Sequence, residues 1–593
     1  MVWEGETDLV RQRFTVRAKN ILHFVFFCFF VIILRTIYLQ GIRGEYYYRV
    51  SEQNRTHIFV ERAPRGNIFD RYGNVLCGSM PIVKVLFYPF ALPASKSPDE
   101  IGERVERIIP GSRQKIYSSW KTQTVVCLSE DTPREQIFKL IEQKVNLSGI
   151  SVVTEMRRHY PYRGLFSHIV GYISEIGPEE LADPGYFTYK RGDIIGKSGV
   201  EARYDSFLRG IDGGWLIQAD ASGRQTDVVQ QINTQQGNEL FLTVDTELQK
   251  IARDALVETG HAGAVVGIDP SDGGIRILVS YPDFDPNLFS EGNPLRLSYF
   301  GDNALPLYNR AVQAQYPPGS VFKIITSLAA LTNGKIGREE EFFCPGYLRV
   351  GNKVFKCWEE KGHKKIDWTA GVVNSCNVYF YNVGLKTGIE LIEEESEKFL
   401  LGRTLGIDIP SEKPGFIPTE KWRKKTLRYG WLSGDTANIA IGQGYLTATP
   451  LQLASIISCV ASRGAIWKPY LVAEARDSSG KTVYRHKPKK IAEIDIKEDI
   501  WSAVQDALVK VVESGTGRAA KVQGITFGGK TGTSQNPHGK DHSLFIAWGP
   551  VENPQLALAV VVEHGGKGGS VAAPVARKIF SRLKEAMLEK SKK

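Results

Sequence analysis

In the stretch PPGSVFKI, residues 317–324, Ser320 follows two prolines and a glycine, and Lys323 comes three positions later. Read blandly, this is a helix start, because Pro and Gly punctuate and Ser is a favoured N-cap. Read as chemistry, it is a nucleophile with its base: at i and i+3 both side chains share one face of the first helical turn. The pattern alone decides little, since Ser-x-x-Lys also occurs at Ser112/Lys115, Ser118/Lys121, Ser478/Lys481 and Ser581/Lys584. Two companions give it weight: Ser375-Cys-Asn377, and Lys530-Thr531-Gly532. Each has a decoy, Ser534-Gln-Asn536 and Lys386-Thr387-Gly388. Context separates them. The decoy lysine lies in YNVGLKTGIELIEEE, a helix end with a glycine stop, whereas GITFGGKTGTS reads as a strand whose glycines let a substrate backbone approach. The decoy SQN directly follows that strand and cannot form an opposing wall. Only 320, 375 and 530 give the order nucleophile, wall, strand.

These residue types support acyl transfer through a serine ester. Ser320 at a helix N-terminus finds unpaired N–H groups that favour a developing oxyanion. Its own N–H is one donor, and the N–H of Thr533 is expected to be the second. Lys323 acts as a base only when neutral; burial and the charge of Lys530 are expected to lower its pKa. Ser375 can relay a proton to the leaving amine, and Asn377 can hold Lys323 and a substrate amide. Lys530, Thr531 and Thr533, with Gly532 between them, can bind a substrate carboxylate and its backbone.

A second cluster overlaps the first. Cys344-x12-Cys357-x5-His363-x12-Cys376 supplies three thiols and one imidazole, a donor set suited to a closed tetrahedral zinc site. Cys376 is the middle residue of the SCN motif, so a metal there would brace the wall. A disulfide with one spare thiol, or buried free thiols, remain alternatives; seven scattered cysteines do not read as a disulfide framework.

The secondary structure around these groups is legible in outline. GAVVGIDP and GIRILVS read as a strand pair joined by a turn, and GITFGGKTGTS, HSLFIAWGP and QLALAVVVEHGG as three further strands. TELQKIARDALVETG and SVAAPVARKIFSRLKEAML read as amphipathic helices, with more helices in the middle. Strands at both ends of one region predict an α+β domain whose sheet joins its start to its end. Near the N-terminus the apolar run at 21–34, extended by its flanks over 20–40, reaches spanning length. No small-residue cleavage site follows, which favours an uncleaved anchor over a signal peptide. Basic residues flank it on both sides, so charge leaves its orientation open. The net charge of +10 carries no basic run or zinc-finger spacing, and nucleic-acid binding is not expected.

Long segments extend the pattern: YLQGIRGEYY, RAPRGNIFDRYGNVL, GKSGVEARYDSFLRG, NRAVQAQYPPGSVFK, SCNVYFY, IGQGYLTATPLQLA and GGKTGTSQ. With the Ser-x-x-Lys, Ser-x-Asn and Lys-Thr-Gly triple, known in penicillin-binding proteins and class A β-lactamases, nearly the whole chain resembles the class B penicillin-binding proteins. It is most similar to the elongation-type penicillin-binding protein 2 group, whose wall motif often ends in Asp where Asn377 stands here. The resemblance implies a membrane-anchored α+β protein. Its parts would be a cytoplasmic tail (1–19), a single transmembrane helix (20–40), a non-catalytic mixed α/β pedestal of the dimerisation type (41–260) and a transpeptidase domain (261–588) with a five-stranded antiparallel sheet flanked by helices. It implies a peptidoglycan D,D-transpeptidase of cell-wall elongation, acting on stem peptides ending in D-Ala-D-Ala and acylated by β-lactams. The catalytic domain would lie on the periplasmic side of the bacterial inner membrane, beside a membrane glycosyltransferase of the shape, elongation, division and sporulation type. Some relatives carry zinc at the Cys/His cluster; the acyl transfer itself needs no cofactor. A D,D-carboxypeptidase or β-lactamase and a non-catalytic β-lactam-binding scaffold are the competing readings. The long pedestal and the lack of an assignable deacylating Glu weigh against the first, the complete triple against the second. His542 reads as a solvated loop residue, Gly442–Gly444 as packing near the site, and Asp70 with Arg71 as a pedestal ion pair.

Overall fold

The apolar N-terminal stretch is helical from Glu4 to Ile37 in the computed structural model of the chain, which describes residues 4–47, 56–93, 96–143, 147–219 and 225–591. A wider π turn, Tyr38–Ile42, continues it. Within the span Arg17–Ile42 the most apolar 18-residue window has a mean hydropathy of 2.3, and none of that window is buried in protein. Phe24, Phe26, Phe27 and Phe29 all point outward, a surface that only an apolar medium would cover. One such helix among the described residues is the arrangement of a single-pass membrane protein.

The chain folds into two compact units whose segments interleave. The first collects Met1–Ala63, Ile82–Glu155 and Ile211–Gln235. Here Thr56–Glu61, Gly213–Ala219 and Gln225–Ile232 form an antiparallel sheet. Helices Pro98–Glu106, Ser112–Thr122 and Arg134–Glu142 enclose a small core with Val85, Phe87, Ile101, Val105, Ile116 and Leu140. Two of the serine–lysine decoys, Ser112/Lys115 and Ser118/Lys121, lie on one of these helices.

The second unit collects Pro64–Pro81, Met156–Gly210 and Gln236–Lys593. A buried charge cluster ties its early segments together: Arg65 pairs with Glu201 (2.6 Å) and Asp205 (2.8 Å), and Arg158 with Glu201 (2.6 Å). The two arginines hold the fully buried Glu201 in its charged form against the desolvation that opposes it. Asp70 is not the ion pair with Arg71 that its sequence neighbourhood suggests. Its carboxylate accepts from Tyr72 N, Asn74 N, Asn74 Nδ2 and Thr246 Oγ1, which fixes the turn of DRYGN.

The sheet that carries the chemistry has five strands, as expected: β1 (Gly263–Ile268), β2 (Ile275–Tyr281), β3 (Gly528–Ser534), β4 (His542–Gly549) and β5 (Leu556–Val562). Their order is β2-β1-β5-β4-β3, antiparallel throughout. Start and end of the region meet where β1 pairs with β5, Val265 opposite Val560. Side chains alternate between two cores, as a period of two requires. Val265, Ile277, Phe545 and Val560 face α1 (Thr246–Val257) and the C-terminal helix Ala572–Ser591. Val266, Leu278, Leu544 and Val561 face the central helices. Both faces are covered, which is why β5 is the unbroken apolar run LALAVVV. The central helices are α2 (Lys323–Thr332), α3 (Asn377–Thr387), α4 (Pro450–Ala461) and α5 (Glu498–Glu513). Helix α4 is buried on every side and starts at a capping box in which Thr449 and Gln452 satisfy each other's backbone N–H. Strand β3 is left at the sheet edge, with one row of backbone groups unclaimed by the sheet.

Candidate active site

Ser320 sits in a tight 3-10 turn, Gly319–Phe322, that runs straight into α2. The i, i+3 spacing predicts a shared face on the first helical turn; in this tighter turn residues i and i+3 eclipse, so Ser320 and Lys323 do share a face. The turn depends on Gly319. Its φ is +55°, and a Cβ there would stand 2.4 Å from Thr533 O. The Gly442 backbone packs behind it, with Gly319 N donating to Gly442 O (2.8 Å). Of the two glycines of IGQG, Gly442 is therefore packing beside Ser320, whereas a Cβ on Gly444 would meet only Asn438, at 3.8 Å. Ser320 itself is half-buried and opens into a cavity of about 1170 Å³.

Ser375, Asn377, Thr531 and Thr533 line the same cavity. Lys323 and Lys530 lie beneath it, both fully buried. The Lys323 Nζ donates to Ser375 O (2.8 Å), Asn377 Oδ1 (2.8 Å) and, more weakly, Ser375 Oγ (3.3 Å). The Lys530 Nζ donates to Ser375 Oγ (2.8 Å). Two amine donors on its oxygen leave the Ser375 hydroxyl proton free to point into the cavity. Burial holds the Lys323 amine down at about 8. Lys530 is pushed well below its ordinary range by burial and then by the charge of Lys323. The charge of Lys530 is thus not the main cause of the Lys323 shift: burial is. The buried Lys530 Nζ also lies behind Ser375 and off the cavity wall, so the side chains of this strand that line the cavity are Thr531 and Thr533. Gly532 packs under the Ser320 turn, where a Cβ would stand 3.0 Å from Val321.

Ser375 has φ +53°, a left-handed conformation that costs a non-glycine residue on the order of 1 kcal/mol. It is held there from two sides: Ser375 O accepts from Lys323 and from Trp358 Nε1 (3.2 Å). Trp358 directly follows Cys357, so the wall leans on the Cys/His cluster. In that cluster the donor atoms of Cys344, Cys357, His363 and Cys376 all lie within 4.8 Å of one another, with the three cysteines buried. His363 Nδ1 is 3.6 Å from Cys357 Sγ and 3.8 Å from Cys344 Sγ. Nitrogen and sulfur on a tetrahedral ion with ordinary Zn–N and Zn–S bond lengths stand about 3.6 Å apart. The donor set fits a metal ion, and among the described residues no cysteine is in a disulfide. Cys376 also caps α3, its Sγ accepting from Tyr379 N (3.4 Å).

The decoys fall elsewhere. Lys386 is on the last turn of α3, half exposed and paired with Glu340 (2.5 Å). His542 is not in a loop but opens β4; it is half-buried against the Tyr316 ring, accepts from His564 N (3.1 Å), and does not line the cavity. Among the cavity residues to which the sequence assigned no role are Trp358, Gln443 and Thr516. Gln443 donates to Thr533 O (2.9 Å), and Thr516 Oγ1 meets Thr531 Oγ1 at 2.8 Å. Their partners are 15 to 90 residues away, beyond any local spacing rule.

Residues 263–581 match the penicillin-binding protein transpeptidase domain, and residues 60–242 the penicillin-binding protein dimerisation domain. The chain is 32% identical over 586 residues to the peptidoglycan D,D-transpeptidase MrdA of Acinetobacter baumannii, covering 94% of this chain and 85% of that protein. Its fold is similar to a chain of the complex between penicillin-binding protein PBP2 and MreC from Helicobacter pylori, with a TM-score of 0.77, 26% identity and coverage of 90% and 99%. A chain from a peptidoglycan synthase complex that coordinates polymerization and crosslinking is similar with a TM-score of 0.72, 25% identity and coverage of 95% and 98%. The chain belongs to the penicillin-binding protein transpeptidase family.

Proposed function

We propose that the chain is a peptidoglycan D,D-transpeptidase that cross-links stem peptides ending in D-Ala-D-Ala during cell-wall elongation, and that β-lactams acylate the same serine. The observation that carries this reading is the convergence of Lys323 and Lys530 on Ser375 beneath a cavity into which Ser320 opens. A neutral Lys323 keeps two N–H bonds for Ser375 O and Asn377 Oδ1 and has a lone pair left for the Ser320 proton. Ser320 Oγ attacks the carbonyl carbon of the penultimate D-Ala while its proton passes to Lys323 Nζ. The oxyanion is held by the N–H groups of Ser320 and Thr533. Within a strand, N–H and C=O of one residue point the same way, so a Thr533 C=O taken by Gln443 places the Thr533 N–H on the open edge as well. Collapse breaks the C–N bond; the departing D-Ala nitrogen takes the Ser375 hydroxyl proton, which the lysines replace. An acceptor amine then attacks the Ser320 ester, and the same groups run in reverse. Thr531 and Thr533 bind the substrate carboxylate and backbone along the free edge of β3.

The Cys344, Cys357, His363 and Cys376 set would hold Zn²⁺, which supplies no step of the reaction and braces the SCN wall. The anchor fixes the enzyme to the bacterial inner membrane with residues 1–19 in the cytoplasm. The pedestal (41–260) and the transpeptidase domain (261–588) lie on the periplasmic side, beside a membrane glycosyltransferase of the shape, elongation, division and sporulation type. The similarity to a chain of a peptidoglycan synthase complex supports that partnership. The purified protein, given lipid-linked precursor and a glycan polymerase, should yield cross-linked dimers and release one D-Ala per cross-link. D-Ala released without dimers would make it a carboxypeptidase instead.

A further inference from the structure

The edge of β3 is not free along its whole length. At its end the Gln443 side chain donates Nε2–H to Thr533 O (2.9 Å) and accepts from Gln535 N at Oε1 (3.4 Å). A carbonyl at one residue and an N–H two residues on are what the next strand of a sheet would engage. The Gln443 amide therefore stands in for one residue of a sixth strand. Gln443 is 8% exposed, and the residue before it holds the nucleophile turn through Gly319 N and Gly442 O (2.8 Å). A Cβ on Gly442 would stand 2.2 Å from Gly319 O, so this backbone contact admits no side chain. One dipeptide thus fastens both elements that carry the oxyanion donors: Gly442 the Ser320 turn, Gln443 the Thr533 strand.

We propose that Gln443 is a positioning residue that aligns the Thr533 N–H with the Ser320 N–H and ends the open edge of β3, so that a substrate backbone has one register in which to add. With Thr533 O and Gln535 N occupied, the Thr533 N–H is the last unclaimed donor on that edge. Substrate backbone pairing with β3 stops there, and the carbonyl reaching that donor is the one set over Ser320. This rests on the proposed acyl-transfer function.

The test uses the full-length protein in detergent with a benzylpenicillin carrying ¹³C at its β-lactam carbonyl. Active-site titration counts folded sites. Stopped-flow labelling gives the acylation rate per site, and isotope-edited infrared spectra of the acyl-enzyme report the ester carbonyl held by the oxyanion donors. Gln443→Ala, and Gln443→Met to keep the length without the amide, should lower the acylation rate per titrated site by roughly 10²-fold. Both should also move the ester band to higher frequency. Gln443→Glu, which keeps an acceptor for Gln535 N but turns a carboxylate oxygen toward Thr533 O, should behave like Ala. An unmoved band, with or without a slower rate, overturns the proposal. So does full activity per titrated site with only a lower melting temperature. Failure of the wild-type protein to acylate at all is a separate outcome, which removes the functional reading itself.

Discussion

Lys323 is where residue chemistry meets pH. A base works only when unprotonated, and burial brings this amine to about 8. Below that value the neutral fraction, and so the acylation rate, should rise about tenfold per pH unit, levelling above it. Penicillin acylation rates from pH 6 to 10 check this. A flat profile, or a climb continuing toward the ordinary lysine value of 10.5, would contradict a base lowered by burial. The two Lys-Thr-Gly motifs give a sharper contrast. Lys530→Ala removes the amine donor on Ser375 Oγ and should slow acylation by roughly 10²–10³-fold. Lys386→Ala breaks a half-exposed pair with Glu340 and should change acylation less than about twofold. Similar losses in both variants would contradict a specific role for the Lys530 strand. The motif residues were legible because order and context, not composition, set them apart from their decoys. The supports were not. Trp358 acts through a hydrogen bond to a carbonyl 17 positions on, and Gln443 through one to a carbonyl 90 positions on.

At the level of elements, the wall is a strained residue at the start of a helix. Ser375 holds a left-handed backbone, and the next residue, Cys376, is at once the cap of α3 and a member of the Cys/His cluster. If the cluster binds Zn²⁺, metal binding and local folding share one free energy. Protein purified without chelator should then carry close to one equivalent of zinc by elemental analysis. Cys357→Ser should lose most of it and acylate more slowly, although no residue of the three motifs has changed. Less than about half an equivalent in the wild-type protein, or a zinc-free variant that acylates at full rate, would count against the brace. The strands of the sheet were readable from alternation and turn residues, and their pairing followed from strands standing at both ends of one region. The hairpin Tyr347–Val350 with Lys353–Lys356, which forms part of the cavity wall, was not readable. Its strands are four residues each, with no buried face and so no clean alternation.

For the whole molecule, the interleaving of the two units is the feature least visible in sequence. Residues 64–81 fold with 156–210 and 236–593 through contacts such as Arg65 with Glu201, 136 positions apart. No composition shift marks those crossings. The apolar helix, by contrast, is plain from composition and should place the chain in the membrane. The full protein should resist alkaline extraction from membranes, whereas a variant lacking residues 1–42 should be recovered in the soluble fraction; its continued sedimentation with membranes would contradict a single anchor. Ser320, and none of the four other Ser-x-x-Lys serines, is expected to carry the acyl group. The direct measurement is peptide mapping by mass spectrometry of the full-length protein after a fluorescent penicillin, beside Ser320→Ala. One adduct is expected, on the peptide containing Ser320, and an unlabelled variant with unchanged melting temperature. Stoichiometric labelling of Ser320→Ala, or an adduct on any other serine of the wild-type protein, would contradict it.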